Sequence, residues 1–187
     1  MSKIGRKPIN IDNVEVDIKN KVIHYKGAHN SGTYQLPSEL LATLQDKDLK
    51  LAVDTQSVDA QKKSIREMNR VWGLHRALLA NEIAGAAKKF EKVIKITGLG
   101  FKAQVSGKNI VFVLGYSHKI DFELPETVIA EVDRTGQVLT LKSPNRELVG
   151  LTVSKIEALR PTEPYKGTGV SEATKFIFRK AGKTKAG

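Results

Sequence analysis

The sequence predicts an α+β fold in which two tandem copies of a small antiparallel sheet, each packed against one helix, precede a basic C-terminal tail. Three observations favour this fold. Short segments of alternating polarity recur along the 187 residues, their order repeats, and each series ends in a stretch with helical spacing. We therefore place the first copy at residues 1–88, the second at 89–162, and a Gly/Pro motif with the basic tail at 163–187.

In the first copy, residues 14–27 alternate around an Asn-Lys pair, which predicts a hairpin. Residues 34–37 and 49–53 are expected to be strands. From 70 to about 87 the spacing is helical. The predicted apolar stripe contains Trp72, Leu79, Ile83 and Ala86, and is widened by Val71, Leu74 and Leu78.

The second copy repeats this order, with strands expected at 93–97, 101–105 and 110–114. Phe122-Glu-Leu-Pro matches Tyr34-Gln-Leu-Pro, and 138–142 matches 48–51. A helix opens at Leu148, with Val149, Val153 and Ile156 on one face. Chance similarity between strand-rich stretches is the alternative, but the shared order and a Gly-Leu pair near each helix start favour a duplication.

Between its last strand and its helix the first copy has about 14 more residues than the second. This segment, 54–69, is predicted to be a basic loop, either a solvated connector or a functional element. It and the helix start carry basic residues at Lys62, Lys63, Arg66 and Arg70. Gly73, beside His75 and Arg76, marks a place where the sheet or a phosphate backbone approaches the helix.

Composition excludes several classes of protein. The chain has no Cys, which excludes disulfides, thiolate metal sites and a Cys nucleophile. No apolar run reaches the roughly 18 residues of a membrane span, and the N-terminus lacks the apolar region of a signal peptide. We expect a soluble, cytoplasmic protein.

The formal charge of +11 is concentrated in two blocks. Residues 60–119 hold 12 basic and 3 acidic side chains, and residues 160–187 hold 7 and 2, whereas residues 1–59 hold 8 of each. Concentrated positive charge of this kind is typical of proteins that bind nucleic acid, although an anionic membrane would attract it too.

The motifs that suggest catalysis are incomplete. Gly98-Leu-Gly-Phe-Lys-Ala103 fits the dinucleotide pattern G-x-G-x-x-G/A, but the following residues alternate like a strand where that site needs a helix. Ser117 and His118 are neighbours in the sequence, but there is no G-x-S-x-G elbow and no identifiable third catalytic group. The four histidines lack metal-binding spacing. We expect neither enzyme activity nor a cofactor or metal.

Residues 163–169, Glu-Pro-Tyr-Lys-Gly-Thr-Gly, form the most informative junction. Pro161 and Pro164 direct the chain out of the preceding helix, and Gly167 and Gly169 allow close approach to the backbone. A helix exit followed by a solubilising tail is one interpretation. Contact with a phosphate-rich partner is the other.

Five motifs in this order resemble the bacterial ribosomal protein L6 family of the large subunit. They are residues 2–9, Gly73-Leu-His-Arg-Ala-Leu-Leu-Ala-Asn81, the bend 98–103, Leu114-Gly-Tyr-Ser-His118 and residues 163–170. The resemblance covers essentially the whole chain. It implies two copies of a sheet-plus-helix fold and a structural, non-enzymatic role in binding 23S-type rRNA.

The resemblance further implies a position near the stalk base, beside neighbouring ribosomal proteins and close to where translational GTPases dock. Such a protein is cytoplasmic and ribosome-bound. By motif, the junction lies against rRNA, and the bend and the 115–118 segment contribute to the same surface. Together with the basic segments, the candidate rRNA-binding residues are Lys62, Lys63, Arg66, Arg70, His75, Arg76, Gly98, Gly100, Lys102, Ser117, His118, Arg160, Tyr165, Lys166, Gly167, Gly169, Lys175, Arg179, Lys180 and Lys183.

The chain departs from the family pattern at three places. Thr168 stands where the family usually has Lys, Ser171-Glu172 replaces an Arg-Tyr pair, and Glu157 stands where a basic residue is usual. We therefore expect the tail to carry more of the phosphate contact. Two other hypotheses are a nucleotide-dependent enzyme using the Gly98 bend and a basic adaptor whose tail binds anionic membranes or acidic proteins.

Overall fold

The computed structural model describes residues 2–45, 47–54 and 64–182. The chain divides into two compact units, Met1–Lys89 and Phe90–Gly187. Each unit combines small antiparallel sheets with one helix, so the predicted α+β class with two tandem copies is confirmed.

The first unit contains two three-stranded antiparallel sheets, ordered β2-β3-β4 and β1-β6-β5. Its elements are β1 (Ile9–Asn10), β2 (Val14–Lys19), β3 (Val22–Gly27), β4 (Ser31–Gln35), β5 (Leu40–Gln45), β6 (Asp48–Val53) and α1 (Ile65–Ala87). The predicted hairpin is confirmed: Asn20 and Lys21 both have positive φ, 47° and 65°, as a tight turn between two twisted strands requires.

Helix α1 begins earlier than the periodicity predicts. The side chain of Ser64 accepts the backbone N–H of Glu67, and Glu67 in turn accepts the backbone N–H of Ser64. This capping box starts the helix at Ile65, so the prediction of a loop through residue 69 is wrong. Ser-x-x-Glu is a sequence signal that could have located the start.

One face of α1 completes the first core. Trp72, Leu79, Ile83 and Ala86 are buried as predicted, and the indole N–H of Trp72 donates to the Leu51 carbonyl at 2.9 Å. The prediction that Leu74 and Leu78 widen this stripe is wrong, because they are 53% and 40% exposed. The buried face of α1 is therefore narrower than the apolar pattern indicates.

The second unit contains a four-stranded sheet, β11-β12-β7-β13, and a three-stranded sheet, β10-β9-β8. Its elements are β7 (Phe90–Thr97), β8 (Lys102–Ser106), β9 (Asn109–Val113), β10 (Ile120–Glu123), β11 (Ile129–Val132), β12 (Val138–Ser143), α2 (Arg146–Leu159) and β13 (Gly169–Glu172). Val149, Val153 and Ile156 of α2 are buried as predicted.

The internal duplication extends to individual hydrogen bonds. In the first unit the Leu36 N–H donates to the carbonyl of Lys21, in the β2–β3 turn, at 2.9 Å. In the second unit the Leu124 N–H donates to the carbonyl of Lys108, in the β8–β9 turn, at 3.0 Å. Both leucines are buried, so the repeated x-x-Leu-Pro string marks the same structural position in each unit.

Among the described residues, four strands escape the sequence prediction: β1, β5, β11 and β13. β1 has only two residues and β11 only four, too short to show alternation. β13 matters most for function, because it adds a strand beside β7 directly after the 163–169 junction.

Candidate nucleic-acid interface

The junction 163–169 is a folded turn. The Glu163 N–H donates to the Thr168 carbonyl at 2.9 Å, the Gly167 N–H donates to the Glu163 carbonyl at 3.0 Å, and the Thr168 hydroxyl donates to the Glu163 carboxylate at 3.0 Å. Tyr165 and Lys166 are exposed at its tip, and Tyr165 is 53% exposed. The hydrogen-bonded turn therefore holds the Tyr165 ring and the Lys166 ammonium group at its exposed tip.

The two glycines of the junction are buried against the chain itself. Gly169 has φ +138°, and a Cβ there would lie 2.7 Å from the Cα of Thr162 and 2.8 Å from the Pro161 carbonyl oxygen. Gly167 has φ +72°, and its Cβ would lie 3.0 Å from Nη2 of Arg179. Close packing against the backbone therefore requires glycine at 169, whereas at 167 it is the positive φ that favours glycine.

The tail folds back onto this junction. The Lys180 N–H donates to the Pro164 carbonyl at 2.9 Å, and the guanidinium of Arg179 covers Gly167. Lys180 and Arg179 are themselves exposed. The charge of Arg179 consequently lies beside the residue that follows Lys166, and the backbone of Lys180 is tied to the same junction.

The bend 98–101 and the loop 115–118, the two other segments of the predicted site, both contact the ring of Phe101. A Cβ at Gly98 would lie 2.6 Å from the side chain of Phe101, and one at Gly115 would lie 2.7 Å from it. Gly98, Gly100 and Gly115 all have positive φ, 156°, 74° and 76°. The ring of Phe101 thus joins the bend 98–101 to the loop 115–118.

The loop 115–118 also contacts the end of α2. The Tyr116 hydroxyl donates to the Leu159 carbonyl at 3.1 Å, and the guanidinium carbon of Arg160 lies 4.9 Å from the Tyr116 ring centroid. The His118 ring stacks on Tyr116 with centroids 6.0 Å apart. The Tyr116 ring therefore lies between a half-buried cation, Arg160, and a second exposed ring, His118. Ser117 is exposed beside them.

Strand register brings these segments together. β13 pairs antiparallel with β7, with Gly169 opposite Thr97, so the junction and the bend lie at the same end of neighbouring strands. The Val170 N–H donates to the Arg160 carbonyl at 2.9 Å, which ties the helix end to the same strand. We call the surface formed by residues 98–101, 115–118, 160–169 and 175–180 the basic edge.

Glu157 and Glu172, which depart from the family pattern, brace the start of the tail. Glu157 accepts the Glu172 N–H at 2.7 Å and the ammonium of Lys175 at 3.2 Å. Glu172 accepts from Lys92 at 3.0 Å, and the Lys92 hydrogen bond lowers the pKa of Glu172 despite partial burial. The charge of Lys175 is therefore partly compensated within the chain.

In the first unit, His75 and Arg76 make contacts within the protein. The Nδ1 of His75 lies 2.8 Å from the hydroxyl of Tyr34, and burial lowers the pKa of His75. Arg76 donates from Nε and Nη2 to the carbonyls of Lys7 and Pro8, at 3.0 and 2.7 Å. These contacts give both residues a structural role: His75 binds Tyr34 of β4, and Arg76 holds the N-terminal segment.

One of the two predicted reasons for Gly73, close approach of the sheet, is wrong. A Cβ there would lie 3.0 Å from the hydroxyl of Ser2, so the N-terminal segment, and not the sheet, approaches the helix at this point. A Cβ at Gly150 of α2 would meet no heavy atom within 4 Å, so this glycine gives no support for close helix–sheet packing.

Three further cations of the predicted site, Arg66, Arg70 and Lys102, lie outside the basic edge. Arg66 and Arg70 are exposed one turn apart on α1. Lys102 is exposed on a groove of the second unit that Lys119 and Arg134 also line, and the sequence prediction missed both of these. The same groove contains Asp133 and Gly136. Lys62, Lys63 and Lys183 lie outside the described residues.

The structure excludes the dinucleotide site at the bend. Strand β8 begins at Lys102, directly after the glycines, so the chain continues as a strand where a helix N-terminus would be needed to bind a pyrophosphate. Within residues 2–45, 47–54 and 64–182, no helix is long and apolar enough to cross a membrane.

Replacing Phe101 with Ala should loosen the basic edge. Because the half-buried ring packs against both Gly98 and Gly115, we expect Phe101→Ala to lower the free energy of unfolding by about 2–4 kcal/mol. Chemical denaturation measures this change. Leu99→Ala is the matched control at the tip of the same bend: Leu99 is fully exposed, so its loss should change stability by less than about 0.5 kcal/mol. Equal effects of the two substitutions would contradict the role of the ring.

Comparison with known proteins identifies the family. A family model described as Ribosomal protein L6 matches residues 97–173. The chain is 40% identical over 187 residues to "Large ribosomal subunit protein uL6" of Anaeromyxobacter sp. (strain K), covering 100% of this chain and 99% of the relative. It is 38% identical to the protein of that name from Helicobacter hepaticus, with 98% of each chain covered. The chain therefore belongs to the bacterial-type ribosomal protein L6 family.

Proposed function

We propose that this protein is a structural component of the large ribosomal subunit and binds 23S-type rRNA through the basic edge. It supports subunit assembly and translation, has no catalytic activity, and acts in the cytoplasm as part of the ribosome. The single observation that carries the proposal is that strand register gathers the bend, the 115–118 loop, the junction and the tail on one surface.

The chemistry of the basic edge suits RNA. Lys166, Arg179 and Lys180 supply exposed positive charge for phosphates, half-buried Arg160 adds to it, and Tyr116 and Tyr165 supply exposed rings. Lys and Arg bind phosphates by neutralising them and releasing counterions, whereas rings stack on unpaired bases or ribose. Such a surface recognises shape and backbone more than sequence.

The family relationship supports a position near the stalk base, beside neighbouring ribosomal proteins and close to the docking region of translational GTPases. In this arrangement the second unit binds rRNA. Arg66 and Arg70 on α1 of the first unit, and Lys62 and Lys63 just before them in sequence, provide further rRNA contacts in this proposal. Lys102 and the tail residues Lys175 and Lys183 add further charge.

Sucrose-gradient fractionation of cell extract at moderate salt tests the proposal. We expect the protein in the large-subunit peak, and Lys166→Glu should reduce the yield of large subunits because it reverses a charge at the tip of the junction. Lys26→Glu is the control, since Lys26 is an exposed residue of β3 in the first unit. Absence of the wild-type protein from the large-subunit peak, or equal yields from the two variants, would refute the proposal.

A further inference from the structure

The segment 175–180 exposes two aromatic rings that the proposed function leaves unused. Phe176 is 89% exposed and Phe178 is 70% exposed, whereas Ile177 between them is half-buried. Fully burying a Phe side chain stabilises a protein by about 1.5–3 kcal/mol, and neither ring obtains this stabilisation within the chain. Clustered exposed apolar groups mark a surface that binds a partner.

The backbone that carries the rings is held at both ends. Lys175 is ion-paired with Glu157 at 3.2 Å before the first ring, and the Lys180 N–H donates to the Pro164 carbonyl at 2.9 Å after the second. Ile177 and part of Phe176 line a crevice whose other walls are residues of α2, the 161–162 segment and β13. A segment fixed in this way loses little conformational entropy when the rings bind a partner.

The exposure pattern leaves both rings open to solvent. Residues 175–180 contain no helix or turn, and the half-buried Ile177 separates two exposed neighbours. In an extended chain, side chains at i and i+2 lie on one face, and that at i+1 lies on the other. Phe176 and Phe178 are therefore the apolar side chains that this stretch presents most to solvent, and Phe176 also lies at the rim of the crevice on α2.

The charge around the rings favours an RNA partner. Exposed Arg179 and Lys180 follow Phe178 directly, and residues 173–182 contain no acidic side chain. The preceding acid, Glu172, is paired with Lys92. Aromatic rings beside cations bind single-stranded nucleic acid, because every base has a π-face and every nucleotide has a phosphate.

We propose that Phe176 and Phe178 form a stacking platform for unpaired RNA bases, with Arg179 and Lys180 contacting the adjoining phosphates. This inference rests on the proposed function, because it names the part of the RNA that the tail binds. It also implies selectivity: bases inside an A-form duplex are stacked on each other, so a duplex offers this platform no free base face.

The test compares two RNA probes with the same number of phosphates, a single-stranded oligonucleotide and a closed duplex. The full chain and the double variant Phe176→Leu/Phe178→Leu are measured at constant salt by fluorescence anisotropy of labelled RNA. Leucine keeps apolar volume but has no π-face. We expect the double variant to bind the single strand more weakly, by a factor of about 5 or more for each ring replaced. Its affinity for the duplex should change less than about twofold.

Two controls separate stacking from charge and from folding. Lys180→Gln should weaken the binding of both probes and reduce the salt slope, because it removes a phosphate contact. Leu151→Ala, at an exposed apolar position of α2, should change neither affinity. Because both phenylalanines are exposed, the double variant should melt like the wild type.

Each failure has a distinct signature. Wild-type single-strand affinity in the double variant, or equal loss for the two probes, overturns the stacking platform and leaves the proposed function intact. The platform is also overturned if the double variant keeps its RNA affinity but is lost from the large-subunit peak, since the rings would then contact a protein. If the wild-type chain binds neither RNA probe, the proposed function fails together with this inference.

Discussion

Raising the salt concentration from 50 to 200 mM should weaken binding of this protein to 23S-type rRNA by about 10³- to 10⁵-fold. This range follows if about six to ten phosphates are neutralised and their counterions released. The second unit has enough accessible cations for that number. The accessible cations of the second unit include half-buried Arg160 and the exposed residues Lys95, Lys102, Lys119, Arg134, Lys166, Arg179 and Lys180.

Filter binding across a salt series measures this effect as the slope of log affinity against log salt. Lys166→Gln should reduce the magnitude of this slope by about one, which is the contribution of one phosphate contact. Lys108→Gln is the matched control, because Lys108 is an exposed lysine of the second unit that pairs with Glu126 at 3.7 Å, in the β8–β9 turn. A nearly flat salt dependence of the wild type would contradict the electrostatic mechanism.

Gly169→Val should be among the most destabilising substitutions in the second unit. At φ +138° an L side chain is strained by about 1–3 kcal/mol. Its Cβ would also lie 2.7 Å from the Thr162 backbone, and such overpacking costs about a further 1–3 kcal/mol. We expect unfolding free energy to fall by about 2–6 kcal/mol, and the displaced junction should reduce incorporation into large subunits.

Gly150→Ala is the opposing control for this measurement. Gly150 lies in α2 with open space around it, so alanine should stabilise the helix by up to about 1 kcal/mol. Thermal unfolding followed by circular dichroism compares the two. Equal melting temperatures for Gly169→Val and the wild type would show that the junction is not packed as described.

Local patterns were sufficient to predict much of the fold. The β2–β3 hairpin follows from its alternation and its two-residue turn. The buried face of α2 and the centre of the buried face of α1 follow from 3.6-residue spacing, which overpredicts the width of the α1 face at Leu74 and Leu78. The repeat was visible because the x-x-Leu-Pro strings at Leu36 and Leu124 occupy equivalent positions. In contrast, β1 and β11 are stabilised by pairing with other strands. They are too short for an alternating pattern to reveal them in the sequence.

The candidate site, like the fold, was predictable from the sequence only in part. From the sequence alone, the order of the five motifs identifies the resemblance to the L6 family, and the charge distribution locates the basic segments. Only the tertiary structure decides that Gly169 and Gly167 pack against the chain itself, that Arg76 binds the N-terminal segment, and that Lys175 pairs with Glu157. The physical reason is that each of these roles depends on a neighbour brought close by strand pairing or helix packing, and local spacing does not encode that neighbour.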